Sequence, residues 1–244
     1  MDFTVITAAW NAEKTIESCM ESVRINQLEK TEHLVLDNLS SDGTCRIAEK
    51  FPGTVIHSEE DSGIYNAMNK GIHLAKNEIL VFLNADDSFL PGTLKHVREI
   101  FEQHPESDIV YGNLLVGDRE VKPPAGTASF HGARIFHPAA FIRRSLFEKY
   151  GDYDETYRIC ADLDFFLRTK EAGAVFTYTD CPLTRFALGG ISTTARKKTA
   201  LEVRCILQAH GYSGIFCFCY YASMRLRNFC AGIYHFCRNI LNRK

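Results

Sequence analysis

The chain has 244 residues, 45% of them hydrophobic and 24% charged, with a formal net charge of −2. That length supports one large α/β domain or two small ones around a real core, and the near-neutral balance excludes a polycation that binds nucleic acid. Met1-Asp2 leads straight into Phe3-Thr4-Val5-Ile6-Thr7 with no basic flank or cleavage site, and no run approaches the roughly 18 apolar residues of a membrane-spanning helix, so a cytoplasmic protein without an export signal is expected.

The first half alternates strand and helix. Phe3 to Ala9 is apolar and β-rich, and Asn11 is placed to cap a helix whose Ile16, Cys19, Met20 and Val23 share one face. A strand from His33 to Asp37 empties into the turn residues Asn38-Leu39-Ser40-Ser41-Asp42-Gly43. A short helix with Ile47, Ala48 and Phe51 precedes a strand from Gly53 to His57. Asp61-Ser62-Gly63 opens a helix bearing Ile64, Ala67, Met68, Gly71, Ile72 and Ala75. Glu78 to Leu83 is a buried strand ending at Asn84-Ala85-Asp86-Asp87, and Pro91 starts a helix with Leu94, Val97 and Phe101 inward.

Strands separated by helices of this length predict a parallel sheet with right-handed crossovers. Ligands of such sheets bind beyond the carboxyl ends of the strands, which gathers Trp10-Asn11, Asp37, the Asp61 region and Asp86-Asp87 into one candidate site. Beyond Asp108 the pattern loosens. A strand from Asp108 to Gly112, a hairpin from Leu114 to Lys122, a loop from Pro123 to Gly132 and a strand from His137 to Arg143 are expected. A helix from Asp162 to Lys170 follows, then two short strands near Ala174 to Tyr178 and Leu183 to Phe186.

Two adjacent acids at the end of a buried strand are costly unless something positive meets them, and a divalent cation carrying phosphate oxygens would do so. Asp87-Ser88 could instead cap the next helix. Asp162 is a second candidate for catalysis, yet an acid at a helix start is also ordinary, and either Asp162 or Asp164 could pair with Arg168. Asp37 could accept from a base or ribose or merely form an Asx turn with Ser40-Ser41. Nine cysteines, an odd number in a chain too long to need staples, read as reduced small hydrophobes, including the Cys217-x-Cys219 pair.

Taken in order, Val5-Ile6-Thr7-Ala8-Ala9-Trp10-Asn11, Leu36-Asp37-Asn38-Leu39-Ser40-Ser41-Asp42-Gly43-Thr44 and Phe82-Leu83-Asn84-Ala85-Asp86-Asp87 resemble the family 2 glycosyltransferases of GT-A fold. Asp61-Ser62-Gly63-Ile64-Tyr65-Asn66-Ala67-Met68-Asn69-Lys70-Gly71 is similar to the branch that builds bacterial exopolysaccharides, colanic-acid-type transferases included. The resemblance spans about residues 2 to 195 and implies an α/β fold with a Rossmann-like, mostly parallel sheet flanked by helices. It implies that Ala9 and Asn11 line a nucleotide pocket, that Asp37 binds the base (usually uracil), and that Asp61 and Gly63 sit beside the donor. Asp86 and Asp87 would take the metal and ribose positions, with Asp87 touching Mn²⁺ or Mg²⁺ directly. Asp162 matches the general base of inverting members, His137 falls on the strand facing the acceptor, and the turn containing Gly190 and Ser192 resembles a segment near diphosphate or acceptor. The family pattern often has Asp at the position of Asn84, Glu at Ala161, and Asp-Asp-Gly where this chain has Asp37-Asn38-Leu39.

These features predict an inverting, metal-dependent transfer of a sugar from a nucleotide-sugar, a UDP-sugar first, to an acceptor hydroxyl in polysaccharide or glycolipid assembly. A non-catalytic subunit that kept the fold and a sugar nucleotidyltransferase are the rival readings. The second lacks support, because Ala8-Ala9-Trp10-Asn11 is no glycine-rich phosphate loop. Residues 1–195 are expected to form the catalytic domain, and 196–244 a helical tail. There Arg204, Arg225, Arg227, Arg238, Arg243 and Lys244 face the single acid Glu202 and interleave with aromatics. Such a tail reads either as an anchor on the anionic inner face of a membrane, where a lipid-linked acceptor would lie, or as a helical hairpin packed on protein.

Overall fold

In the computed structural model, which describes residues 1–124, 135–189 and 194–222, the first strand β1 (Phe3–Ala9) is buried along almost its whole length. A strand so apolar on both sides belongs in the middle of a parallel sheet covered on both faces. It pairs in parallel with β2 (Glu32–Asp37) on one side and β4 (Ile79–Phe82) on the other, and β2 pairs in parallel with β3 (Thr54–Ser58). The connections are α1 (Ile16–Asn26), α2 (Thr44–Ala48) and α3 (Ile64–Leu74). The face of α1 that the sequence assigns to the core, Ile16, Cys19, Met20 and Val23, is buried.

The second half changes hand. β6 (Ile109–Val116) turns back through a hairpin into β7 (Arg119–Val121), and β8 (Ala140–Arg143) runs antiparallel to both β4 and β6. β9 (Phe176–Arg185) lies parallel to β6, and the two-residue β5 (Ser88–Phe89) pairs antiparallel with it. The resulting order is β3-β2-β1-β4-β8-β6-β9-β5, with β7 on β6. The sheet is therefore parallel over the four strands β3 to β4 and mixed beyond, with β8 joining the halves.

Several boundaries differ from expectation for local reasons. Asn11 caps no helix: α1 begins five residues later, and Asn11 itself is in the left-handed region at φ 48°. α4 (Thr93–Gln103) starts after Gly92, at φ 83°, rather than at Pro91, so neither Pro91 nor Asp87 opens or caps it. His137 does not begin a strand, because His137–Ala139 forms a 3₁₀ turn that feeds β8. The two expected strands after residue 174 are one, since β9 continues through Pro182 by an irregularity in its pairing with β6, where a residue without an N–H can be tolerated. α5 (Arg144–Tyr150), unforeseen, ends at Gly151 with φ 80°. α6 (Ala161–Glu171) lies close to its expected place.

The main core gathers Phe3, Val5, Val81, Leu94, Phe101 and Phe141 between the sheet, α1 and α4. The chain divides into two compact units, Met1–Leu188 and Gly189–Lys244. In the second, α7 (Arg196–Ala209) buries Ala200, Val203, Ile206 and Leu207. A second helical stretch covers 214–222, where Phe216 stacks on Tyr212, just before it, at 5.5 Å and on Tyr220 at 6.3 Å between centroids. Among the described residues no helix is long and apolar enough to cross a membrane. None of the seven described cysteines is held in a disulfide, and Cys217 is buried while Cys219 is exposed.

Candidate active site

The loops that leave β1 and β2 are laced together. The Asn11 N–H donates to Ser40 Oγ at 2.8 Å, Ala12 N–H to Thr44 Oγ1 at 2.7 Å and Glu13 N–H to Asp42 Oδ2 at 3.1 Å. In return Ser41 N–H donates to Asn11 Oδ1 at 2.9 Å and Gly43 N–H to Glu13 Oε2 at 3.0 Å. Asn11 and Leu39 hold positive φ (48° each), an ordinary state for Asn and a strained one for Leu, and such strain concentrates at functional loops. Trp10 stands exposed beside them, and Ala9, in register with Asp37, is buried.

Asp37 ends β2 almost fully buried. Its Oδ2 accepts from Ser40 N–H at 3.1 Å and from the Ser58 hydroxyl at 2.6 Å, while its Oδ1 has no hydrogen-bond partner among the described residues. Burial opposes its charge, but the donors from Ser40, Ser58 and Cys45 together hold the carboxyl below its usual range. A buried carboxylate oxygen left without a donor is a place where a ligand N–H or hydroxyl fits.

Asp61 forms an Asx turn that launches α3. Its N–H reaches Asn38 Oδ1 at 2.9 Å, and its Oδ1 accepts from Gly63 N–H at 2.9 Å. Gly63 sits at φ 144°, and a Cβ there would also come within 3.1 Å of Arg158, so the glycine is required. Burial raises the pKa of Asp61.

At the end of β4 the two acids diverge. Asp86 is exposed, whereas Asp87 is 1% exposed and accepts from Ala187 N–H at 2.9 Å and from Asn84 Nδ2 at 3.2 Å. Burial pushes the Asp87 carboxyl up to about 7, with Asp86 adding to it. Asn84 Oδ1 is buried without a hydrogen-bond partner among the described residues. An isolated buried carboxyl beside an orphaned amide oxygen suits a hard cation, whose charge would reverse the cost of ionisation. Among the described residues no three His, Cys, Asp or Glu side chains converge on one metal position. Asp87 with Asp86 would thus hold a divalent ion only in company with ligand oxygens and water.

Asp162 lies in the first turn of α6 but is not its cap. Asp164 takes the ion pair with Arg168 at 2.8 Å, which leaves Asp162 to accept from the Tyr65 hydroxyl at 2.8 Å. Behind it is an aromatic cluster. His137 is buried, hydrogen-bonded through Nε2 to the Tyr153 hydroxyl at 2.9 Å and stacked on Phe82 at 5.0 Å. Burial lowers its pKa, with the Asp162 charge opposing, so His137 is neutral and packed. Gly190 and Ser192 lie outside the described residues.

Sequence reasoning missed Tyr65, Asn84 and Glu155. Glu155 accepts from Ser62, Asn66 and Asn69 at 3.0 to 3.2 Å, tying the loop before α6 to the start of α3. The signal for the first and third was the Tyr65-Asn66-x-x-Asn69 run on one side of α3, whose partners lie about ninety residues away.

Acids at the carboxyl ends of parallel strands in an α/β sheet stand where the ligands of such sheets bind. Residues 4–160 match the profile described as Glycosyl transferase family 2, and the chain belongs to that family, in its GT-A fold. It is a glycosyltransferase. It is 31% identical over 211 residues to a PGL/p-HBAD biosynthesis glycosyltransferase of Mycobacterium bovis, covering 82% of each chain. It is also 31% identical over 201 residues to an uncharacterized glycosyltransferase of Mycobacterium tuberculosis, covering 78% of this chain and 76% of that one. Among solved structures, Staphylococcus aureus TarS 1-349 in complex with UDP superposes with a TM-score of 0.71 at 18% identity, over 94% of this chain and 72% of that one. The mannosyltransferase PcManGT from Pyrobaculum calidifontis, in complex with GDP-Man and Mn²⁺, gives 0.69 at 21% identity over 87% of this chain. This chain spans 64% of that mannosyltransferase and 39% of the longer TarS chain.

Proposed function

We propose that the protein transfers a sugar, with inversion, from a UDP-sugar to an acceptor hydroxyl in polysaccharide or glycolipid assembly. The observation that carries this reading is Asp162, a carboxylate clear of the Arg168 ion pair and oriented by Tyr65, on a chain whose strand-end acids are ready for a nucleotide diphosphate. Solved neighbours of the same fold hold UDP, UDP-GlcNAc or GDP-Man, which supports a nucleotide-sugar donor.

The donor base and ribose lie against Asp37, whose Oδ1 takes a ligand N–H or hydroxyl, with Ala9 and the Asn11 loop as pocket wall and Asp61 and Gly63 alongside. Asp87 and Asp86 would hold Mn²⁺ or Mg²⁺, which when bound offsets the negative charge left on the diphosphate. Asp162 accepts the proton of the attacking hydroxyl as its oxygen displaces the diphosphate from the opposite face of the anomeric carbon. A base so placed is worth roughly 10² to 10⁴ in rate. His137 supports this side by packing, through Tyr153 and Phe82.

UDP release from a panel of UDP-sugars, run with Mn²⁺ or Mg²⁺ and then with EDTA beside GDP- and dTDP-sugars, tests the proposal. Metal-dependent release from one UDP-sugar, lost in Asp87→Ala, is the expected outcome. Absence of any metal-dependent nucleotide binding would overturn it in favour of a non-catalytic subunit.

A further inference from the structure

Tyr65 belongs to no motif that the transfer chemistry required, yet it is the side chain that meets the proposed base. It sits in the first turn of α3, 7% exposed, with its hydroxyl 2.8 Å from Asp162 Oδ1 and 2.9 Å from the Ile159 carbonyl. A buried phenol needs an acceptor, and the Ile159 carbonyl alone would satisfy it. The second acceptor is what a purely structural tyrosine would not need. Among the described residues no ion pair reaches Asp162, so the phenol is its one side-chain donor.

The ring is held too firmly for this meeting to be incidental. Tyr65 packs on Tyr153 at 5.4 Å between centroids, and Tyr153 in turn sets its edge against Phe82, Phe147 and Phe165 at 5.3 to 5.4 Å. Glu155 clamps Asn66, the next residue, to the loop that leads into Asp162. The two elements that carry Tyr65 and Asp162 are therefore fixed to each other by both packing and hydrogen bonds, as a positioned base demands.

We propose that Tyr65 is a positioning residue for Asp162: its hydroxyl pins Oδ1 and leaves Oδ2 to take the proton from the acceptor. This rests on Asp162 being the base. In the step, the acceptor O–H bond breaks, its proton passes to Asp162 Oδ2, and its electron pair forms the new bond to the anomeric carbon. The bond from that carbon to the diphosphate breaks, and the leaving group keeps the pair. Tyr65 loses no proton. It donates to Oδ1 while the carboxylate is charged, and the Ile159 carbonyl stands ready as its acceptor once the carboxyl is neutral.

The test compares Tyr65→Phe with the parent and with Asp162→Asn. UDP affinity, melting temperature and UDP release from the UDP-sugar panel with Mn²⁺ are measured, along with crystal structures of parent and Tyr65→Phe. Tyr65→Phe is expected to lower kcat about tenfold with donor KM and UDP affinity unchanged, as loss of a transition-state interaction does. Its crystal structure should show the Asp162 carboxyl turned from its parental orientation. Parental kcat with the carboxyl unmoved would overturn the proposal. If Asp162→Asn releases UDP at the parental rate, the base assignment fails instead. The crystal structures still decide whether Tyr65 orients Asp162.

Discussion

Asp87 makes the sharpest demand of any single residue. Burial raises its carboxyl to about 7, so in the metal-free protein the folded state keeps a proton that the unfolded chain has already released. The sign follows: the stability linked to this group is full below the ordinary carboxylate range and is lost as pH rises toward 7. In EDTA, Asp87→Asn should therefore melt higher than the parent at pH 8, and the difference should vanish below about pH 4. Thermal melts across that range check it, and a constant difference would show that the effect is not titration. Asn at 87 can still accept from Ala187, and Asn84 can turn its unpartnered Oδ1 toward the new amide. Asp37 behaves in the opposite way, because its donors outweigh its burial. Two acids beyond strands on either side of β1 thus differ by how many N–H and O–H groups face them.

At the scale of elements, α3 does most to assemble the site. Its start carries the Asp61 turn and Gly63, its first turn carries Tyr65, and Asn66 and Asn69 bind Glu155 from the loop before α6. Its seat on the sheet depends on Gly71, where a Cβ would stand 2.5 Å from Ile6 Cγ2. Ile6 is fully buried in the middle of β1 and β-branched, so its methyl has nowhere to turn. Gly71→Ala is expected to destabilise the protein by about 1–3 kcal/mol, the usual cost of overpacking, read as a lower denaturant midpoint. It should also weaken transfer beyond that loss, because a shift of α3 moves Tyr65. Unchanged stability would mean that α3 is held more loosely than the close approach implies.

Across the whole molecule, the sheet is parallel where Asp37, Asp61, Asp86 and Asp87 stand at strand ends and mixed where Asp162 and His137 are presented. β8, antiparallel to β4, makes that change and brings the 3₁₀ turn of His137 against Phe82. The unit Gly189–Lys244 carries exposed Ile215 and Phe218 in its helical residues 214–222, and the chain beyond them is basic and aromatic. We propose that this region binds an anionic membrane surface. Deleting residues from 212 onward should release the protein from phosphatidylglycerol liposomes in a flotation assay. Undiminished binding would point to a tail that packs on protein.

The sequence by itself determined the alternation of elements through β4, because apolar strands and amphipathic helices are patterned locally, and it placed Asp37, Asp61, Asp86 and Asp87 at strand ends. It also placed Asp162 at a helix start. It left open whether Asp162 or Asp164 would pair with Arg168, since both are in reach along one helix; that was decided by Tyr65, which comes from an element about a hundred residues earlier. The Asn11 cap failed for the same reason, since the loop after β2 offered Asn11 better partners than α1 did. The antiparallel joining of β8, the continuity of β9 through Pro182 and the orphaned oxygens of Asp37 and Asn84 are likewise facts of tertiary structure. Pairing, burial and hydrogen-bond satisfaction depend on which distant groups arrive at a position, and no local pattern encodes that.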